Sequence, residues 1–224
     1  MRVRIDAKAF GARQVLRDVA FAQAEGEILA LVGPSGAGKT TLLRIVAGLD
    51  GDFAGTVEGR GRIGLMFQSP TLLPWRSARD NVAIPTRIAP DRADAALAEV
   101  GLARRETAYP GALSLGQQRR VALARACAAD PDLLLLDEPF VSLDPEAAQR
   151  MRDLTLAMLA RRGARAILVT HDLAEAAAMA DRALALSGAP AKLVAERRFD
   201  RPRPARDPAW IAAEAEALRA AISA

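Results

Sequence analysis

The residues Gly33-Pro34-Ser35-Gly36-Ala37-Gly38-Lys39-Thr40, followed by Thr41, satisfy the spacing G-x-x-x-x-G-K-S/T. These types at this spacing suit the binding of a nucleotide's phosphates. Glycines let the backbone curl until successive N–H groups point at phosphate oxygens. A helix starting at the loop's end adds the partial positive charge of its N-terminus. Lys39 can then reach the β- and γ-phosphates, and the Thr40 hydroxyl can ligate Mg²⁺. A glycine turn with no ligand would leave Lys39 unexplained in a chain whose only other lysines are Lys8 and Lys192. A second constellation is Leu133-Leu134-Leu135-Leu136-Asp137-Glu138, an apolar run ending in two acids. A carboxylate at the C-terminal end of a parallel strand faces the ligand crevice. Asp137 suits a Mg²⁺ partner, and Glu138 suits the base that polarises an attacking water. The plainer alternative is a pair of helix-capping acids before Pro139, a reading the phosphate loop weakens.

Both constellations need strands to carry them. Glu27-Ile28-Leu29-Ala30-Leu31-Val32 is a short apolar run ending at Gly33, the pattern of a buried parallel strand. Helical spacing follows from Thr40 to Ala47, with a stop near Gly48. The sequence also predicts strands at Val3–Ile5, Val19–Phe21, Leu65–Phe67, Ala166–Val169 and Ala183–Leu186, and turns or hairpins from Gly48 to Gly64. Helices are expected over Asp91–Val100, from Ser114 to about Ala129, and over Ala209–Ile222, with others between the later strands. Strands alternating with helices give an α/β fold with a parallel sheet. Residues 1–68 and 128–195 read as the nucleotide-binding core, and 69–127 as a helical insertion with prolines at its borders. Residues 196–224 read as a short C-terminal tail. Its basic, proline-bearing start, Glu196 to Arg206, is expected to be a solvated linker.

The 224 residues suffice for one large domain. No apolar run long enough to span a bilayer is present, and Met1 to Asp6 does not read as a signal peptide. One cysteine, Cys127, and one histidine, His171, exclude a multi-histidine metal site and a Cys/His zinc cluster. Cys127 reads as a small buried helix residue. The net charge of +4 points to no polyanion partner. Trp75, beside Arg76, and Trp210 lack in sequence the run of basic or aromatic neighbours of a nucleic-acid platform.

Further motifs occur in order along the chain. Leu113-Ser114-Leu115-Gly116-Gln117 precedes Gln118-Arg119-Arg120-Val121-Ala122-Leu123-Ala124-Arg125-Ala126. Gln68 stands at the junction of core and insertion, Ser142-Leu143-Asp144 follows the acidic pair, and His171 follows a strand. Together with the phosphate loop these resemble the ATP-binding cassette ATPases, the nucleotide-binding subunits of ABC transporters, over roughly residues 3 to 195. The resemblance implies a P-loop NTPase (RecA-like) parallel-sheet core with an N-terminal antiparallel β part and an inserted helical subdomain. It implies that residues 33–41 bind ATP, that Gln68 joins Thr40 and Asp137 at Mg²⁺, and that Phe10 stacks on adenine, although core packing suits Phe10 equally. His171 matches the switch histidine that senses the γ-phosphate. Ser142, Leu143 and Asp144 match the D-loop. Ser114, Leu115, Gly116 and Gln117 match the signature that contacts ATP held by the opposite subunit. Ser114 with Gln117 also reads as an ordinary capping box. Leu115 replaces the family's usual glycine, a strain if that position needs positive φ or a close approach of the nucleotide.

The resemblance further implies a head-to-tail dimer with two sandwiched ATP molecules, a separate membrane permease, and a periplasmic or extracellular solute-binding protein. The chain would then be peripheral at the cytoplasmic face of the inner membrane, with no nucleic-acid partner. Met66-Phe67-Gln68-Ser69-Pro70 and Leu72-Leu73-Pro74-Trp75-Arg76 are similar to importers of sulfonates, nitrate, taurine or thiamine-precursor pyrimidines. An exporter ATPase, or a soluble cassette acting on nucleic acid, shares the catalytic motifs and remains the alternative at this point.

Overall fold

Five consecutive buried residues, Ile28–Val32, form a strand apolar on both faces, as expected where neighbours cover both. In this computed structural model, which describes residues 1–223, the elements run in chain order. They are β1 (Arg2–Phe10), β2 (Arg13–Ala22), β3 (Ile28–Val32), α1 (Lys39–Val46), β4 (Ala54–Glu58), β5 (Ile63–Met66), α2 (Ala78–Thr86), α3 (Pro90–Glu99) and α4 (Leu115–Cys127). There follow β6 (Leu133–Asp137), α5 (Pro145–Arg162), β7 (Arg165–Val169), α6 (Leu173–Met179), β8 (Arg182–Gly188), β9 (Ala191–Arg198) and α7 (Pro208–Ser223). The fold is the α/β class expected from the alternation of elements, with the P-loop NTPase core that the resemblance implies, and it divides into two compact units.

One unit comprises residues 1–60 and 165–224. Its strands lie in the order β4-β1-β2-β9-β8-β3-β7. β3 pairs in parallel with β7 (Leu31 opposite Val169) and with β8 (Leu31 opposite Leu184). The N-terminal strands are antiparallel, β1 with β2 and with β4. The alternating burial of β1, with Val3 and Ile5 inside and Arg2 and Arg4 outside, is the mark of a sheet with one wet face. The core is Leu29, Leu31, Ile167, Leu168, Leu184 and Leu186, all sealed from solvent, with Leu42 and Ile45 of α1. Truncating one such leucine to alanine costs about 2–5 kcal/mol.

The other unit comprises residues 61–164. β5 pairs in parallel with β6, Met66 opposite Leu136. α2, α3 and α4 pack on one another, and α4 also lies on β5. That last approach is close enough that a Cβ on Gly64 would stand 2.0 Å from the Ala126 carbonyl oxygen, so only glycine fits there.

The expected solvated linker is overturned. Glu196–Arg198 extends β9, and the arginines that follow are folded back onto the chain. Arg206 donates to the carbonyls of Ala177 and Ala180 at 2.8 and 2.7 Å, and Arg203 donates to that of Met179 at 2.6 Å. Charge and proline content signalled exposure, but a guanidinium whose donors meet carbonyls can be covered. Trp210 likewise has the neighbours its local sequence lacks. Phe199 packs edge-on at 6.1 Å, and the guanidiniums of Arg201 and Arg206 stand 5.4 and 5.2 Å from the ring centre.

Candidate functional site

The phosphate-loop residues sit where β3 hands over to α1. Gly33 has φ 144°, and a Cβ there would lie 2.1 Å from the Leu186 carbonyl oxygen. Gly38 caps α1 in the left-handed region at φ 79°. The two glycines let the chain turn sharply at the end of β3 and enter the helix. Lys39 is almost wholly buried, and its Nζ donates to the carbonyls of Gly33 and Pro34, each at 2.8 Å. The loop thus closes round its own ammonium. Ser35, Gly36 and Thr40 are exposed, and α1 has neither an acidic residue in its first turn nor a side-chain cap. Its positive end is therefore open to an anion.

In the same unit, the amide of Thr170 donates to the Leu31 carbonyl at 3.1 Å, so β7 ends beside the strand that feeds the loop. His171 follows at once and is exposed. The Asp172 amide donates to Thr170 Oγ1 at 3.0 Å, and the Asp172 carboxylate accepts from the amides of Ala174 and Glu175, capping α6. Phe10, at the end of β1, is 55% exposed and is not a core residue. One face of its ring carries Lys8 Nζ, 4.5 Å from the centroid. Lys8 is itself buried and is held by Asp50 Oδ1 at 2.8 Å and the Asp52 carbonyl at 2.6 Å. Hydrogen bonding to Lys8 draws the Asp50 carboxyl below its ordinary pKa.

In the second unit, Asp137 ends β6 and is 6% exposed. Glu138 takes φ 45°, a left-handed conformation that costs a non-glycine residue about 1–2 kcal/mol. The turn breaks the alternation of the strand, so the two carboxylates are freed from pointing to opposite faces. Strain at this point is the kind that functional residues retain. Gln68, two residues past β5, turns its amide nitrogen to Glu138 Oε2 at 3.4 Å. Arg119 Nη1 donates to the Pro139 carbonyl at 2.5 Å, tying α4 to the segment after Glu138.

Ser114 caps α4. Its Oγ accepts from the Gln117 amide at 3.3 Å, and Gln117 Oε1 accepts from the Ser114 amide at 3.0 Å, a complete capping box. Leu115 is the first helical residue, with no positive φ, so one of its two expected sources of strain is absent. Its side chain is 44% exposed. Residues 114–117 share a cavity of about 450 Å³ with Ser142, Leu143 and Asp144. Asp144 caps α5 through the Ala147 amide at 2.8 Å, and Ser142 has φ 61°. The residues expected to form the signature and the D-loop are thus neighbours. Lys8, Arg119, Arg203 and Arg206 were not found from sequence. For Arg119 a signal existed, because it interrupts the apolar stripe that continues with Leu123 and Ala126 on α4.

Comparison with known proteins gives the family. A family model described as ABC transporter matches residues 16–141, more than half of the chain. The chain is 44% identical to the "Aliphatic sulfonates import ATP-binding protein SsuB 2" of Burkholderia cenocepacia (strain HI2424), covering 97% of this chain and 86% of that one. It is 45% identical to the "Aliphatic sulfonates import ATP-binding protein SsuB" of Mycobacterium avium (strain 104), with coverages of 96% and 87%. Among solved structures, the ATP-binding cassette MJ0796, in a dimeric post-hydrolysis state bound to ADP and Pi, matches with a TM-score of 0.76 and 27% identity, over 90% of this chain and 99% of that one. The chain belongs to the ABC transporter family, as an ATP-binding, ATP-hydrolysing subunit.

Proposed function

We propose that this chain powers the import of a small solute, a sulfonate foremost, through a separate membrane permease. The observation that carries the substrate class is the 44% identity, over 97% of the chain, to a relative named for aliphatic sulfonate import. Nitrate, taurine and thiamine-precursor pyrimidines are the neighbouring substrates. The exporter and nucleic-acid readings, left open by the motifs, find no support among these relatives. Among the described residues no helix is long and apolar enough to cross a membrane. We place the chain as a peripheral subunit at the cytoplasmic face, supplied by a solute-binding protein on the other side.

The chemistry follows from the side chains. Lys39 neutralises the β- and γ-phosphates, and the backbone of residues 33–41 with the open end of α1 cradles them. Glu138 takes the proton of the attacking water, and His171 contacts the γ-phosphate. Thr40, Gln68 and Asp137 offer a hydroxyl, an amide oxygen and a carboxylate, hard oxygen donors that fit Mg²⁺. When bound, Mg²⁺ supplies charge neutralisation of the triphosphate. Phe10 stacks on adenine with the face that Lys8 leaves open. Ser114 to Gln117, at the start of α4, receive the γ-phosphate held by a second copy, so the working unit is a head-to-tail homodimer. Residues 1–68 with 128–195 serve nucleotide binding, and 69–127 carry the signature and meet the permease.

Reconstitution with the permease and binding protein in vesicles tests this. ATP inside should drive uptake of an alkanesulfonate in preference to nitrate. ATP hydrolysis that accompanies efflux, or uptake of none of these solutes, would overturn the reading.

A further inference from the structure

α6 has seven residues, too few to be stable alone. Its N-terminal end is fastened by Asp172, the residue after His171. Its C-terminal end has carbonyls with no partner inside the helix, and the chain's own tail meets them. Arg206 Nη1 donates to the carbonyls of Ala177 at 2.8 Å, Ala178 at 3.4 Å and Ala180 at 2.7 Å. Arg203 Nε donates to that of Met179 at 2.6 Å, while its Nη2 lies 2.5 Å from Asp181 Oδ2. Two cations thus answer four successive carbonyls at the negative end of the helix dipole.

These arginines are themselves held. Arg206 Nε donates to the Arg201 carbonyl at 2.8 Å, and its guanidinium stands over Phe199 and Trp210 at 5.6 and 5.2 Å. Arg201 pairs with Asp207 at 2.8 Å, and Asp207 accepts from the Trp210 amide at 2.8 Å. The segment is built around its guanidiniums, and the switch histidine stands roughly 10 Å away, at the far end of a short rigid rod.

We propose that Arg206, assisted by Arg203, is a positioning residue for ATP hydrolysis: by closing the C-terminal end of α6 it fixes the helix whose other end carries His171. The proposal rests on the reading of His171 as the γ-phosphate contact. With the arginines removed, α6 frays from its end, Asp172 shifts, and His171 samples orientations that miss the γ-phosphate. ATP capture depends on the loop at 33–41 and is spared. The tail is then part of the hydrolytic apparatus.

Because His171 is the only histidine, its imidazole gives a single resolved NMR signal. The test compares Arg206→Ala, Arg203→Ala, their double variant, Arg206→Lys and His171→Ala in the full chain. The double variant should lose turnover on the order of tenfold with the KM for ATP changed less than about twofold, and the imidazole signal should shift or broaden. Arg206→Lys, which keeps a cation but not the fork, should fall between. If the double variant is poorly folded, the single variants carry the same reading. An unmoved imidazole signal with full turnover in the arginine variants would overturn the proposal, as would a rise in KM matching the fall in turnover. Full turnover in His171→Ala would instead overturn the reading of His171 itself.

Discussion

The loop at 33–41 and the segment at 114–117 both lead into a helix N-terminus, but they are finished to different degrees. At the phosphate loop, Gly33 and Gly38 hold conformations that other residues resist, and Lys39 is tucked against the carbonyls of Gly33 and Pro34. At the signature, Ser114 and Gln117 spend their polar atoms on each other, and Leu115 stands exposed over a cavity of about 450 Å³. The first region is preorganised to capture a nucleotide. The second is stable alone yet offers little to hold a ligand by itself, which is the expected form of a half-site completed by another molecule. Binding and closure are therefore expected to be separable by mutation.

The largest separation is expected from Lys39→Ala. It removes the one cation held inside the loop and should weaken ATP binding at least a hundredfold by isothermal titration, an interaction between charged partners being lost. Unchanged affinity would remove the loop from the site. Glu138→Gln comes next. The phosphate contacts stay while the base is lost, so turnover should fall on the order of a hundred- to ten-thousand-fold. ATP should remain bound and stabilise a closed dimer. Turnover at the unsubstituted rate would exclude Glu138 as the base.

Leu115→Gly sharpens the comparison from the other side. Leu115 carries no positive φ, so the exchange relieves no backbone strain and acts only through the bulk of the side chain. It costs at most about 1 kcal/mol at the helix start. In the Glu138→Gln background, ATP-dependent dimerisation measured by ultracentrifugation should tighten, with monomer affinity for ATP unchanged. Weaker or equal dimerisation would mean the leucine is already accommodated. The smallest effect belongs to a residue outside both regions. Burial pushes the Cys127 thiol up to about 12, so almost no thiolate exists at neutral pH. Maleimide labelling of the folded chain at pH 7.5 should be negligible and should appear only on denaturation; ready labelling would mean α4 opens.

What could be read from the sequence followed the range of the interactions. The loop at 33–41, the run Leu133–Glu138 and the box Ser114–Gln117 are local devices, and their spacing states their geometry. The strands β3, β5, β6, β7 and β8 were legible because buried parallel strands are short apolar runs, whereas β4 was read only as part of a turn-rich stretch. Phe10 was ambiguous because a single aromatic near a strand end gives no sign of which face is covered. The cation over its ring comes from Lys8, whose own partners lie 42 and 44 residues away. The fold of the tail is hidden from the sequence for the same reason. Arg203 and Arg206 bond carbonyls 24 to 29 residues earlier, and nothing in a basic, proline-bearing segment indicates that its charges will be met by a helix end.

The central claim is that the signature of one copy completes the nucleotide site of another. Mixing two inactive chains, Lys39→Ala and a signature variant Ser114→Arg, tests it most directly. Each homodimer has two broken sites, whereas half of the random mixture carries one intact site made of Lys39 from one chain and Ser114 from the other. ATP hydrolysis should return to roughly a quarter of the unsubstituted rate. A mixture that stays as inactive as its components would contradict the claim and place the signature's action within its own chain.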